Sequence, residues 1–377
     1  MSLKKTVWIS SGAAALAVLA LLAVGFKYSV EKGGYDLSRF RRESSLSSVP
    51  KELRGLVASN PEAVRAILSE KRDRGLRFAV VGDTASDHNA IFKGFLKEIA
   101  ALEPRPSFIV HLGDRAVSPI IESYGAYLKD IQDSPCPIVH VNGNHDLREE
   151  GDRISRAFFG EGDFFFDEGD MRFIFMDDNP EHGRRGGHGG FSRAQLTWLE
   201  DKLKAPRPAR KFFFAHMPPQ VPFKKIDPGL AALFTPLLDN ERDFLDLIAR
   251  YHVVMAAFGH RHVHASEVYN GVLMVITGGG GQRNFFDPKV NEPLFTKMRH
   301  YTLVDIPDAG SSGPFEGVLT CMGRAHKVLS VISFSQPDLV AGGGSVALRP
   351  YPEPVPSSLR LGMDPDLARA HPSSRMP

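Results

Sequence analysis

Beyond residue 75 the apolar positions follow two alternating periods. Short runs of β-prone residues, Phe78-Ala79-Val80-Val81, Phe108-Ile109-Val110-His111-Leu112, Pro137-Ile138-Val139-His140-Val141, Lys211-Phe212-Phe213-Phe214-Ala215 and Val253-Val254-Met255-Ala256-Ala257-Phe258, predict buried strands. Between them the spacing becomes helical. Ile91, Phe92, Phe95, Leu96 and Ile99 share one face, and Phe244, Leu247, Ile248 and Tyr251 share another. A third helix buries Leu196, Leu199 and Leu203 and starts at a capping box, Ser192 with Gln195 three residues later. Two strand-like runs meet at Gly169 and predict a hairpin over residues 164–176. Strands alternating with amphipathic helices imply an α/β domain. Residues 265–333 read as further strands, with the glycines at 278–281 as a turn. No Gly-Lys-Ser/Thr follows those glycines, so they do not form a phosphate-binding P-loop.

The flanks have a different character. Residues 7–26 carry no charge and are rich in Ala, Leu and Val; as a helix they would run roughly 30 Å, the thickness of a bilayer core. Apolar on all sides, the segment reads as a transmembrane helix or a signal peptide. The run exceeds the ~7 to 15 residues of a signal core, which favours an uncleaved single-pass anchor over residues 1–26. Lys27, Lys32, Arg39, Arg41 and Arg42 follow it, but a long translocated domain escapes the positive-inside count, and the expected site of the body is extracytoplasmic, periplasmic or extracellular. Residues 27–75 form a stalk or helical arm, with Asn60 as N-cap, Pro61 at the first position and Val64, Ile67 and Leu68 on one face. Residues 76–335 are the α/β domain. Residues 336–377 turn Pro-, Gly- and Ser-rich, the composition of an extended or disordered tail.

Composition narrows the partners. The 377 residues are 42% hydrophobic with a formal charge of +2, which gives no polyanion signal, so nucleic acid is not an expected partner. Cys136 and Cys321 are the only cysteines and form no C-x-x-C pair, so neither a disulfide framework nor a thiolate metal site is indicated.

The chemistry sits where the five strands end. They run into Gly82-Asp83, Gly113-Asp114, Gly143-Asn144-His145-Asp146, His216 and Gly259-His260-Arg261-His262. Taken singly, each has a plain reading: Gly-Asp after a strand caps a turn, and a histidine there is a surface or hydrogen-bonded residue. In open α/β sheets, however, side chains at the carboxyl ends of strands converge on one rim. Recurrence at the same end of five strands argues for a shared site. Oxygen and imidazole donors without thiolate suit Mn, Fe or Zn.

In these motifs, and in their order, the chain resembles the calcineurin-like metallophosphoesterases over residues 76 to about 281. Softer matches are Phe175-Met176-Asp177-Asp178 and Gln195-Leu196-Thr197-Trp198-Leu199-Glu200. The resemblance implies a two-sheet β-sandwich flanked by helices and a binuclear centre of two divalent or trivalent metal ions. By that analogy Asp114 bridges the ions, Asp83 and His262 serve one, and Asn144, His216 and His260 serve the other. Two cations about 3.5 to 4 Å apart can share a hydroxide, lower its pKa and stabilise an in-line displacement at phosphorus. His145 is the catalytic candidate, placed to steady the transition-state charge or protonate the leaving oxygen. Asp146 either orients that ring or caps the turn.

One position departs from the pattern. The family's first motif is usually Asp-x-His, and here the third place is Ala85. Purple acid phosphatases, which lack that His, use a Tyr three residues after the second Asp, where this chain has Val117. Asp87 and His88 are nearby donors, yet Ser86 and Asp87 also read as the cap of the next helix, and a water is the simplest replacement ligand. The expected function is hydrolysis of phosphomonoesters or phosphodiesters, with a phosphorylated small molecule, lipid or protein as substrate. The alternative, motivated by Ala85, is a non-catalytic relative that binds metal or a phosphorylated ligand. The glycine-rich loop 183–190 reads first as a solvated loop; Arg184, Arg185 and His188 are its candidates for contact with a phosphate. Residues 221–234, interrupted by prolines, are a candidate lid.

Overall fold

The computed structural model describes residues 64, 75–85, 90–148, 151–178, 189–223, 238–282, 289–292, 294–306, 315–336 and 347–350. All of them fall in one compact unit, Leu46–Pro377. Residues 1–63 lie outside the described set, and with them the expected anchor and most of the arm. So do Asp87, His88 and the loop bearing Arg184, Arg185 and His188. Among the described residues no helix is long and apolar enough to cross a membrane.

Two mixed sheets face each other. In the first, β1 (Leu76–Val81), β2 (Ile109–His111) and β3 (Ile138–His140) run parallel. Its other half is antiparallel: β12 (His300–Ile306) pairs with β1, followed by β13 (Phe315–Gly323), β14 (Val328–Gln336) and β15 (Ala347–Pro350). The second sheet has the same plan. β5 (Met171–Phe175), β6 (Arg210–Phe214), β7 (Met255–Phe258) and β9 (Val272–Thr277) are parallel. β4 (Phe164–Glu168) closes the predicted hairpin with β5, while β8 (His264–Tyr269), β11 (Phe295–Thr296) and β10 (Asn291–Glu292) extend the opposite edge. The pairing of β15 with β14 puts an edge strand inside the segment expected to be extended or disordered.

The parallel strands read as continuous apolar runs because both of their faces are covered. Successive side chains point to opposite faces. Phe78 and Val80 therefore join Phe108, Phe173, Phe175, Phe212 and Phe214 between the sheets, while Ala79 and Val81 pack beneath α1 (Ala90–Ala100) with Phe92, Phe95, Leu96 and Ile99. On the far side, Ile174, Phe213, Ala256 and Phe258 pack with Leu199 and Leu203 of α4 (Arg193–Lys204) and Phe244 and Ile248 of α5 (Glu241–Arg250). The capping box at Ser192 forms as predicted. Two helices that the apolar spacing left unannounced, α2 (Ile121–Ile131) and α3 (Gly151–Phe159), flank β3 and its following turn. Val64, in the arm, is helical and buried in the inter-sheet core.

Phenyl rings hold the sheets together. Phe173 stacks on Phe212 at 5.1 Å and Phe175 on Phe214 at 4.9 Å, forming a ladder along the second sheet. From the first sheet Phe78 meets that ladder edge-on, 5.8 Å from Phe173, and stacks on Phe108 at 5.1 Å. Truncating a ring at such a junction removes its transfer energy and leaves a cavity. Phe78→Ala should destabilise the fold by about 3–5 kcal/mol, seen as a lower urea midpoint at unchanged slope. Val328→Ala, at a more exposed side chain, should stay within about 0.5 kcal/mol.

Candidate metal centre

Every parallel strand but β9 carries a polar side chain just past its carboxyl end toward one rim. Three of the expected ligands stand in left-handed backbone: Asp83 at φ 59°, Asp114 at φ 54° and His260 at φ 62°. Such conformations cost of order 1–3 kcal/mol for a residue with a side chain and persist only where the surroundings fix them. Here the loops bond to one another. Asp83 N donates to Gly113 O, Ala85 N to Asp114 O, and Gly259 N to His216 O. Gly143 is required by space, because an added methyl would collide with Asp114 Oδ1 and with His216 Cε1.

Four donor atoms face one another. Asn144 Oδ1 lies 3.1 Å from His216 Nε2 and 2.9 Å from His260 Nδ1, and the two nitrogens are 3.3 Å apart. Asp114 Oδ1 is 3.4 Å from His216 Nε2. His216 Nδ1–H donates to Leu112 O at 2.6 Å, which turns Nε2 into the cluster. Among the described residues, Asp114, His216 and His260 are the one group of three or more His, Cys, Asp or Glu able to hold a metal ion. Asp83 and His262 form a separate pair, Oδ1 to Nε2 at 3.4 Å. Asp83 is fully buried, and its Oδ1 accepts no hydrogen bond while Oδ2 accepts from His260 N at 2.9 Å. A converging set of oxygen and imidazole lone pairs, with a buried carboxylate oxygen left over beside it, fits a divalent cation. Ala85 is buried and brings no donor.

The electrostatics agree. Burial penalises charge on Asp114, but His216, His145 and His260 outweigh it and hold the carboxyl below the usual range. Burial opposes charge on His216 as well, yet Asp114, Asp83 and Asp178 lift its pKa to about 9. Burial, with His216 beside it, pushes His260 well down, and burial raises Asp83.

His145 sits half-buried at the edge of this cluster. Its backbone N–H donates to Asp114 Oδ1 at 2.9 Å, ring Nδ1 bonds Val117 O at 2.9 Å, and Nε2 meets Arg148 Nη2 at 3.1 Å. The carbonyl of Val117 therefore orients the ring, and the alternative in which Asp146 does so is corrected. Asp146 caps the turn, accepting from Gly143 N at 2.9 Å and Arg115 N at 3.1 Å. It also pairs with the fully buried Arg115 guanidinium at 3.4 Å. Arg115 Nη2 in turn donates to Asn142 Oδ1 at 2.5 Å and Ser155 Oγ at 3.0 Å, beneath the ring of Phe159.

Sequence reasoning singled out neither Arg115 nor Arg148, and it gave Asp178 no role beyond its place in the softer match Phe175-Met176-Asp177-Asp178. That buried carboxylate accepts from His216 N at 3.0 Å and from Met217 N, and burial lifts its pKa to about 7. The signal for it was present. Asp177-Asp178 follows β5, the parallel neighbour of the strand that ends at His216.

In the metal-free protein His216 carries a proton below about pH 9, and a metal ion must displace it. Affinity for Mn should therefore rise about tenfold per pH unit from 6.5 toward 9 and then level off. Titration calorimetry in buffers of different ionisation enthalpy checks this; release of no proton at pH 7.5 would contradict it.

The family description "Calcineurin-like phosphoesterase" matches residues 76–264. The serine/threonine-protein phosphatase CPPED1 of Danio rerio is 27% identical over 225 residues, covering 53% of this chain and 68% of that protein. Purple acid phosphatase PPD1 from yellow lupin (Lupinus luteus) superposes with a TM-score of 0.54 at 15% identity, over 70% of this chain and 54% of the lupin chain. The present chain thus spans about half the length of the lupin protein, and the likeness between them is one of fold.

Proposed function

Because the chain belongs to the calcineurin-like phosphoesterases, we propose that it hydrolyses phosphate esters with metal ions held at this rim. The convergence of Asp114, Asn144, His216 and His260 carries the reading. In it, Asn144, His216 and His260 would hold one ion, Asp83 and His262 would hold a second, and Asp114 would contribute to both. When bound, such ions supply the Lewis acidity that makes water nucleophilic at neutral pH and offset charge on the phosphoryl oxygens. The chain's own groups do the positioning. The Val117 carbonyl and the Asp114 carboxylate fix His145 by ring and backbone, so that Nε2 can steady the phosphoryl group or pass a proton to the leaving oxygen. The description of the zebrafish relative as a serine/threonine-protein phosphatase makes phosphomonoesters the first substrates to try. Phosphodiesters are the second.

A rival reading, a binder of metal or phosphorylated ligands without turnover, is favoured by Ala85. Among the described residues, the second ion would have only Asp83, His262 and a share of Asp114. Elemental analysis after incubation with Mn, with hydrolysis of 4-nitrophenyl phosphate and its bis-ester, separates the two. Two ions of unequal affinity and measurable turnover are expected. His145→Ala should lower kcat by about 10²- to 10⁴-fold with metal content unchanged, whereas Asp114→Ala should lose both ions. Bound metal without turnover of either ester would favour the binder, and absence of both would end the metal-hydrolase reading.

The uncharged run 7–26 supports a further part of the proposal, a single-pass tether with the catalytic body outside the cytoplasm. The full-length chain should stay with membranes through alkaline extraction and be digested by protease added from the extracytoplasmic side. Extraction into the soluble fraction would refute the tether, and protection from the protease the orientation.

A further inference from the structure

Hydrolysis of a phosphate ester needs a group that recognises the phosphoryl oxygens as well as groups that hold metal. Among the described residues, Arg115, Arg148 and Arg261 stand in or directly beside the strand-end motifs. Arg115 is fully buried and committed to Asp146, Asn142 and Ser155. Arg261 is buried between two of the expected ligands in sequence. Arg148 differs: it is exposed, and among the described residues no carboxylate pairs with it.

The position of Arg148 is set by a short chain of contacts from the metal cradle. Asp114 Oδ1 accepts from His145 N at 2.9 Å, Val117 O fixes the His145 ring at 2.9 Å, and Nε2 of that ring meets Arg148 Nη2 at 3.1 Å. The guanidinium thus rests on the solvent side of His145, whose backbone N–H bonds the bridging candidate. One N–H is engaged, on Nε2 of His145. Among the described residues the others face no protein acceptor. A guanidinium presents five donors in a planar fork that matches phosphate oxygens in pairs, and charge-assisted bonds of that kind are about twice as strong as neutral ones.

We infer that Arg148 is the phosphate-recognition residue of this site, leaving His145 Nε2 to clamp the non-bridging oxygens of a phosphomonoester dianion and so favouring monoesters over diesters. The inference rests on the hydrolase reading above. A monoester offers the fork three terminal oxygens and two charges, whereas a diester offers two oxygens and one charge, so the clamp gains more from the former. The same movement frees Nε2 from its Arg148 partner, and Nε2 would then take a proton from solvent before it could pass one to the leaving oxygen.

The test uses the full chain loaded with Mn, as wild type, Arg148→Ala and Arg148→Lys. Steady-state kinetics on 4-nitrophenyl phosphate and bis(4-nitrophenyl) phosphate are measured with inorganic phosphate as inhibitor, alongside metal content and melting temperature. In Arg148→Ala the monoester KM and the phosphate Ki should rise roughly ten- to a hundredfold. The diester KM should move less than about threefold, at unchanged metal content and melting temperature. Arg148→Lys should recover part of the loss, because it keeps the charge but not the fork. Equal changes for both esters, or an unchanged phosphate Ki, would overturn the assignment. If the wild type cleaves neither ester, the hydrolase reading fails by itself. Calorimetric affinity of the Mn-loaded protein for phosphate then decides on Arg148: a tenfold loss in the alanine variant supports it, and no change refutes it.

Discussion

Lone pairs brought together in a buried space repel one another unless positive charge lies among them. Asp114, Asn144, His216 and His260 are held in that arrangement by groups that leave them little room to turn away: Leu112 O on one histidine ring, Asp178 on its backbone, and Gly143 so close that no side chain fits. With no metal present, His216 answers the constraint by holding a proton to about pH 9. The strain of three residues in left-handed backbone falls on the same loops. Hydrogen bonds between the loops fix these conformations, and the phenyl ladder between the sheets adds stability from the frame beneath them.

The frame also explains why the donors meet. β1, β2 and β3 run parallel in register, as do β5, β6 and β7, so their carboxyl ends come level at one edge of each sheet. The loops that follow then bridge the two sheets. His260 N donates to Asp83 Oδ2 across 177 positions of sequence, and His216 Nδ1 to Leu112 O across 104. Beneath them the Arg115, Asp146 and Asn142 network stiffens the turn that carries Asn144 and His145. A buried pair of this kind gives little net stability but makes any alternative packing of the turn leave a charge without its partner.

Much of this was legible in the sequence because the strands are buried on both faces and end abruptly in polar residues. The periods gave the principal strands, the hairpin and the capping box, and recurrence at strand ends gave the donors Asp114, Asn144, His216 and His260. Groups that act through a neighbour were harder to read. Asp178 works through a backbone amide 38 positions away, and Val117 through its carbonyl, which residue type does not encode. Asp146 shows the converse, since the same Asp after Asn-His could serve the ring or the turn, and only geometry separates them. The helices α2 and α3 carry mixed polar faces, and their partner is the turn after β3 as much as the core; Tyr124 reaches Asp146 O.

The two halves of the site differ in how far they are preorganised, and that difference bears on how the protein can be controlled. In the half at His216, that ring is oriented by Leu112 O and the Asp114 carboxylate by His145 N. In the other half, Asp83 is held by one oxygen through His260 N and by glycine packing at Gly259 and Gly278, and among the described residues its second oxygen meets only His262. Ala85 spends its backbone N–H on Asp114 O and offers no donor. A cation entering that half must bring more of its own water and gains fewer bonds from protein, so on the two-ion reading it binds more weakly. Occupancy of the weaker half would then follow the free metal concentration while the stronger half stays filled, and the loss of one imidazole at position 85 would turn a fixed cofactor into a dissociable one.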